Sequence, residues 1–308
     1  MKIPIITIQG TTAVGKSDFA LQLAQEFETQ IISADSRQVY KYLDIGTAKP
    51  TIQDRKKVQH HLIDIVTPDD QYTAGDFSRE ADKIISELHK TGKIPIIVGG
   101  TWFYIKALLQ GLAKVPSIPE NVRENLWQLY KKKGKKYLYN KLQQVDTKAA
   151  EKINQNDLQK MLRALEVWEY TRQPLSSYWQ QQKGKQRYLP INILLYMNRS
   201  ELYGKINTRI DRMIEAGLLQ EIKQLLKNYS EDAPGMITVG YREFFPYFSG
   251  KSSLLECVQL AKQHTRNFAK RQITWYRKQE FDLTLNANDI NLLQVTKELK
   301  KIAKGLWL

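Results

Sequence analysis

Cysteine is nearly absent from the 308 residues: Cys257 stands alone. A single thiol excludes an intrachain disulfide and a cysteine-rich metal site, and a reducing cytoplasm is the simplest setting. Cys257 itself reads as a small packing residue of a helix. Histidine is also scarce, four in all. The adjacent His60 and His61 have no third ligand at a recognisable metal-site spacing, so a strand-edge structural role is expected. No apolar run approaches the ~18 residues that a membrane span requires. The N-terminus enters a strand almost at once, without a signal-peptide pattern, and no membrane association is expected. Acidic residues are in deficit, 32 against 47 Lys and Arg, for a net charge of +15. That surplus favours a polyanionic partner, nucleic acid ahead of an anionic membrane.

What is present begins with a phosphate-binding pattern. Gly10, Thr11, Thr12, Ala13, Val14, Gly15, Lys16 and Ser17 fit G-x-x-x-x-G-K-[ST], directly after the apolar stretch Ile3 to Ile8 and before an amphipathic helix. Backbone amides and a helix N-terminus there form a cradle for anions. Lys16 adds a mobile cation, and Ser17 can reach a Mg²⁺ ion. Strand patterns follow at 30–33, 62–66 and 94–98, with helices at about 16–27, 74–91 and 101–110. The alternation predicts an α/β fold, a P-loop parallel sheet flanked by helices, with ligands outside the carboxyl ends of the strands. Pro116 and Pro119 break this pattern. From about 121 to 186 the text turns to long polar helices with Lys and Gln runs, "KKKGKK" and "QQQKGKQ", and predicts an all-helical insertion. Residues 189–197 return to a strand, followed by helices at about 202–227 and 254–278. The expected division is a core of residues 1–118 and 188–308 and an insertion of residues 119–187.

Asp35, in "IISADSRQVY", sits at the end of an apolar strand. A carboxylate there can hold Mg²⁺ or water, act as a general base, or cap a turn. Asp64 has apolar neighbours and reads as a strand-end residue with a local partner, ahead of a second metal-linked acid. In "IPIIVGGTWFYIKALL", Gly99 and Gly100 allow close backbone approach, and Thr101 can cap the next helix or turn its hydroxyl into the cleft. Arg123 follows the proline break; a junction arginine can clamp an anionic leaving group or be solvated. Near the C-terminus, "KQHTRNFAKRQITWYRK" contains no acid. Lys262, Arg266, Lys270 and Lys278 recur along one stripe, with Asn267, Arg271 and Trp275 beside them. Basic residues interleaved with aromatics suit phosphate contact plus base stacking.

Taken together, the blocks "GTTAVGKS", "ADSRQVYKYLDIGTAKP", "HHLIDI", "YTAGDF", "IPIIVGGTWFYIKALLQGL", "NDLQKMLRALEV", "TVGYRE" and "AKRQITWYR" resemble the bacterial tRNA dimethylallyltransferases (tRNA isopentenyltransferases) over nearly the whole chain. The resemblance implies transfer of the dimethylallyl group of dimethylallyl diphosphate to the exocyclic amine of the adenine immediately 3′ of the anticodon. Diphosphate is released with help from Mg²⁺, and no obligate protein partner is expected. It implies that residues 10–17 hold the diphosphate, with Arg209 as a second clamp. It implies that Asp35 accepts a proton from the amine, and that Thr101 and Arg123 serve catalysis. It also implies tRNA contacts along Asp35, Ser36, Arg37 and Gln38, along Gln159, Lys160, Met161, Leu162 and Arg163, and at Arg271, Gln272, Trp275, Arg277 and Lys278, on the anticodon stem-loop. Departures occur at Thr11, where the family usually has Pro, at Tyr42-Leu43 for Gly-Met, at Gln59 for Pro, and at Lys160 for Arg. Lysine cannot make the bidentate contacts of arginine. The C-terminal zinc finger of some relatives has no counterpart before Leu308. Two rival readings of the same residues are a small-molecule or nucleotide kinase using the loop for phosphoryl transfer, and a non-catalytic RNA-binding protein.

Overall fold

A computed structural model of the protein describes residues 2–181 and 187–307. The chain divides into two compact units, residues 1–109 with 186–308, and residues 110–185.

The first unit is built on six strands: β1 (Ile3–Gly10), β2 (Ile31–Ser33), β3 (His60–His61), β4 (Ile96–Gly99), β5 (Tyr188–Tyr196) and β6 (Leu283–Asn286). They form one sheet in the order β3-β2-β4-β1-β5-β6, and every pairing is parallel. In β1 the side-chain period of two sends Ile6 and Ile8 to one face, against Phe19, Ala20, Leu23, Val295 and Leu299. Ile5 goes to the other face with Ile32, Ile97, Phe77, Ile85 and Leu108. A central parallel strand has helices on both faces, so it reads as an unbroken apolar run. Register follows from this pattern: Ile6 lies opposite Ile96 and Ile191, and Gln9 opposite Gly99 and Leu194. The loops after β1 and β4 therefore leave the sheet side by side, and that after β2 leaves on the far side of β4.

Three expectations change in this unit. The strand expected at 62–66 is replaced by a two-residue strand at His60–His61 and an isolated bridge from Tyr40 to Val66. Leu62 and Asp64 take left-handed φ of 60° and 58°, which extended pairing cannot accommodate. The Asp64 and Ile65 amides turn instead to the carbonyls of Gln38 and Val39. The helix expected at 202–227 is two helices, Arg199–Glu215 and Leu218–Asn228, parted by Gly217 at φ 103°. The edge strand β6 has no counterpart in the sequence reading. Its four residues are too short to show a period, and its pairing with β5 joins segments about ninety residues apart.

The second unit is helical: Glu120–Val145, Thr147–Lys152, Leu158–Thr171 and Leu175–Gln181. Its core is Leu126, Leu138, Leu142, Met161, Leu162, Leu165 and Val167 with their neighbours. Of the "QQQKGKQ" run, residues 182–186 lie outside the described residues.

Candidate active site

The loop from Gly10 to Ser17 joins β1 to the helix Lys16–Glu26, with Gly15 at the helix N-cap in the left-handed region, φ 99°. Glycine takes that conformation without the steric cost a side chain imposes. Lys16 folds back over the loop, its Nζ donating to the Thr11 carbonyl at 2.6 Å. Burial pushes its ammonium down to about 8, opposed by the charge of Asp35 and reinforced by that of Arg209. Arg209, on the helix Arg199–Glu215, is likewise lowered by burial, while Asp35 and Asp18 favour its charged form. Lys16, Arg209 and Asp35 thus share one electrostatic neighbourhood at the mouth of the loop.

Asp35 ends the segment after β2. Its Oδ1 accepts the Arg37 amide at 2.8 Å, a local turn that fixes the carboxylate and leaves the second oxygen for other partners. Thr101 begins the segment after β4. Its Oγ1 accepts the Ser36 amide at 3.0 Å and donates to Ser36 Oγ at 3.2 Å. The Thr101 amide donates to the Ala34 carbonyl at 3.2 Å. Of the two roles open to Thr101 from sequence, these bonds show the hydroxyl turned to the Asp35 segment. The close approach needs glycine: a Cβ on Gly99 would stand 2.0 Å from the Ala34 carbonyl oxygen.

Along the segment expected to meet tRNA, Arg37 donates to the Pro234 carbonyl at 2.9 Å, and Gln38 is buried, bonded to Ser33 Oγ and to the carbonyls of Thr47 and Ala48. Asp64 has the local partners expected of it: Lys49 at 2.5 Å and Arg55 at 2.6 Å. Burial pushes its carboxyl up, but the hydrogen bonds and charges of Lys49 and Arg55 together outweigh it and hold the group below its ordinary value. His60 pairs with the Val58 carbonyl and His61 with the Gln30 side chain, and among the described residues no three metal-ligating side chains gather.

The basic stripe of the helix Leu254–Tyr276 splits in two. Lys262 pairs with Asp211 at 2.6 Å and Arg266 donates to Asn207 Oδ1 at 2.7 Å, so both are engaged by the neighbouring helix. Lys270, Arg271, Arg277 and Lys278 are exposed. Arg271 lies 5.8 Å from the Phe268 ring centroid. Trp275 stacks on Trp102 with centroids 4.5 Å apart. Gln272 points the other way: it is 4% exposed and bridges the Thr12 amide and the Gly100 carbonyl.

Within the second unit, Arg123 and Arg163 converge on one buried carboxylate. Glu166 accepts from Arg123 Nε at 3.3 Å and from Arg163 NH1 at 3.1 Å. Gln159 and Lys160 are exposed, Lys160 pairing with Asp157 at 2.6 Å. Met161 and Leu162 are core residues. Sequence reasoning missed Glu166 and the inward role of Gln272. The first carried a weak signal, an acid inside the apolar face of "RALEV"; the second carried none.

The sequence model of the family described as IPP transferase matches residues 38–279. A tRNA dimethylallyltransferase of Thermoanaerobacter sp. is 43% identical over 99% of both chains. One of Carboxydothermus hydrogenoformans is 42% identical over 97% of both. Among solved structures, the full-length tRNA isopentenylpyrophosphate transferase of Bacillus halodurans superposes with a TM-score of 0.72 at 33% identity, covering 99% of this chain and 96% of that one. A eukaryotic dimethylallyltransferase acting on tRNA gives 0.81 at 32% identity, covering 92% of this chain and 74% of that one.

Proposed function

The chain belongs to the IPP transferase family, and on that premise we propose that it transfers the dimethylallyl group of dimethylallyl diphosphate to a tRNA. The acceptor is the exocyclic amine of the adenosine immediately 3′ of the anticodon, and diphosphate is the product released. The observation that carries this reading is the shared electrostatic neighbourhood of Lys16, Arg209 and Asp35, a cationic phosphate cradle beside a fixed carboxylate.

An aromatic amine is a weak nucleophile, and its proton becomes acidic only as the new bond forms. A carboxylate within roughly 2.6–3.2 Å removes that proton in the transition state; Asp35 is assigned this role. Thr101 holds the Ser36 amide and so orients the carboxylate. The loop amides, Lys16 and Arg209 receive the charge that grows on the departing diphosphate oxygen. Arg123, in the helical unit, is assigned to the same leaving group by resemblance. Water has to be kept from the allylic carbon, and an amine stacked in an RNA loop becomes reachable when the base is flipped out. The exposed residues Arg271, Arg277 and Lys278, with Gln159 and Lys160 of the helical unit, are assigned to the anticodon stem-loop.

Mg²⁺ fits the donors at the loop. Ser17 is exposed in the first helical turn, and the carboxylates of Asp18 and Asp35 act on the same arginine. Hydroxyl and carboxylate oxygens suit a hard cation that keeps waters and phosphate oxygens in its shell. When bound, the ion neutralises charge on the diphosphate. Among the described residues no helix is long and apolar enough to cross a membrane, and we read the chain as a cytoplasmic protein that works without an obligate protein partner.

The test is incubation of the purified chain with unmodified tRNA, Mg²⁺ and dimethylallyl diphosphate, followed by nuclease digestion and mass spectrometry. Isopentenyladenosine is expected. No prenylated nucleoside, together with transfer of label from radiolabelled ATP to an acceptor, would instead establish the kinase reading.

A further inference from the structure

In the loop of residues 10–17, Lys16 spends its Nζ on a carbonyl of the loop itself, that of Thr11. The Thr12 amide differs. It donates to Gln272 Oε1 at 2.9 Å, and Gln272 Nε2 donates in turn to the Gly100 carbonyl at 3.0 Å. The carboxamide is 4% exposed. One helical turn on, Tyr276 donates its hydroxyl to the Gly10 carbonyl at 3.2 Å, so two residues on one helix face brace the strand end of the loop. Space beside the carboxamide is filled: a Cβ on Gly100 would meet Gln272 Nε2 at 2.7 Å.

The braced end has a chemical identity. In a loop of this pattern, backbone amides cradle the inner phosphates while the lysine reaches toward the terminal one. Here Lys16 Nζ rests on the Thr11 carbonyl, so the terminal phosphoryl group falls toward Thr11 and Thr12. There the Thr12 donor is already used, and the Oε1 that uses it presents a negative dipole. We propose that Gln272 limits the length of polyphosphate that the loop accepts. By occupying the Thr12 amide it reserves the cradle for two phosphoryl groups and disfavours a third. Gln272 is in this sense a specificity residue for diphosphate over triphosphate, and the inference rests on the reading that the loop holds a diphosphate leaving group.

The experiment is calorimetric titration of the full chain, with Mg²⁺ present, by inorganic pyrophosphate and by inorganic tripolyphosphate. The wild-type protein is expected to prefer pyrophosphate. Gln272→Ala, which frees the Thr12 donor and opens space, is expected to shift the preference toward tripolyphosphate by about tenfold, the order of one hydrogen bond to a charged group. Gln272→Met removes the acceptor at nearly constant volume. It is expected to shift the preference the same way by less, and it guards against loss of fold in the alanine variant. Wild-type preference retained in both variants would overturn the proposal, as would equal wild-type affinity for the two anions. A wild-type chain that binds neither anion would instead overturn the diphosphate reading beneath it.

Discussion

The two units of this chain hold their charged residues in different ways. In the α/β unit, the candidate groups stand at strand ends and are fixed by backbone: Asp35 by the Arg37 amide, Thr101 by the Ser36 amide, Lys16 by the Thr11 carbonyl. In the helical unit, Arg123 and Arg163 are fixed by a side chain, the buried carboxylate of Glu166. Backbone-fixed groups depend on strand register and loop length, which tolerate changes in surrounding side chains. Groups fixed by one carboxylate depend on that residue alone.

The largest expected effect tests the first arrangement. Asp35→Ala should lower single-turnover prenyl transfer by about 10²–10⁴-fold, the range for loss of a general base. A near-wild-type rate would remove Asp35 from the chemistry. The second arrangement is tested by Glu166→Leu. Removing one acid that serves two arginines should destabilise the helical unit by about 2 kcal/mol, as for hydrogen bonds to charged groups. Chemical denaturation followed by far-UV circular dichroism reads this, and an unchanged midpoint would show that the arginines hold themselves.

A pH titration then sharpens the comparison. Burial pushes the Lys16 ammonium down to about 8, and a bound diphosphate anion would favour its charged form. Diphosphate affinity should therefore fall as the pH rises through about 8, by up to about tenfold per pH unit. The sign for stability is opposite. The folded value lies below the 10.5 of an ordinary lysine, so the unfolded chain binds the proton more tightly. The cost of burying the charge is present below about 8 and is relieved as the pH passes from there to 10.5. Calorimetry across this range, with Lys16→Met as control, checks both signs. The smallest effect concerns the basic helix: Arg271→Ala should weaken RNA binding and lower the salt slope by about 1. An unchanged slope would take this helix face out of the interface.

The difference between the units also explains what could be read from sequence. The loop from Gly10 to Ser17 was legible because its function lies in spacing, and β1 because a doubly covered strand is apolar throughout. Thr101 was legible only as a set of alternatives; its contact with Ser36 depends on the register of β2 and β4, which no local pattern encodes. The strand expected at 62–66 failed because two side-chain-bearing residues take left-handed conformations where apolar periodicity is the only local signal. The basic stripe was read as one surface, yet Lys262 and Arg266 are claimed by Asp211 and Asn207 from a helix some fifty to sixty residues earlier in the chain. Gln272 lay inside a stretch that reads as nucleic-acid contact, and only the helix rotation turns it toward the loop.

In the proposed reaction the loop holds what leaves, while the carbon attached to it is what is transferred. Dimethylallyl diphosphate labelled with ¹⁴C in the allyl group and ³²P in the diphosphate tests it most directly. After one turnover with tRNA, the account predicts ¹⁴C in the RNA and all ³²P as free diphosphate. Recovery of ³²P in the RNA would contradict it.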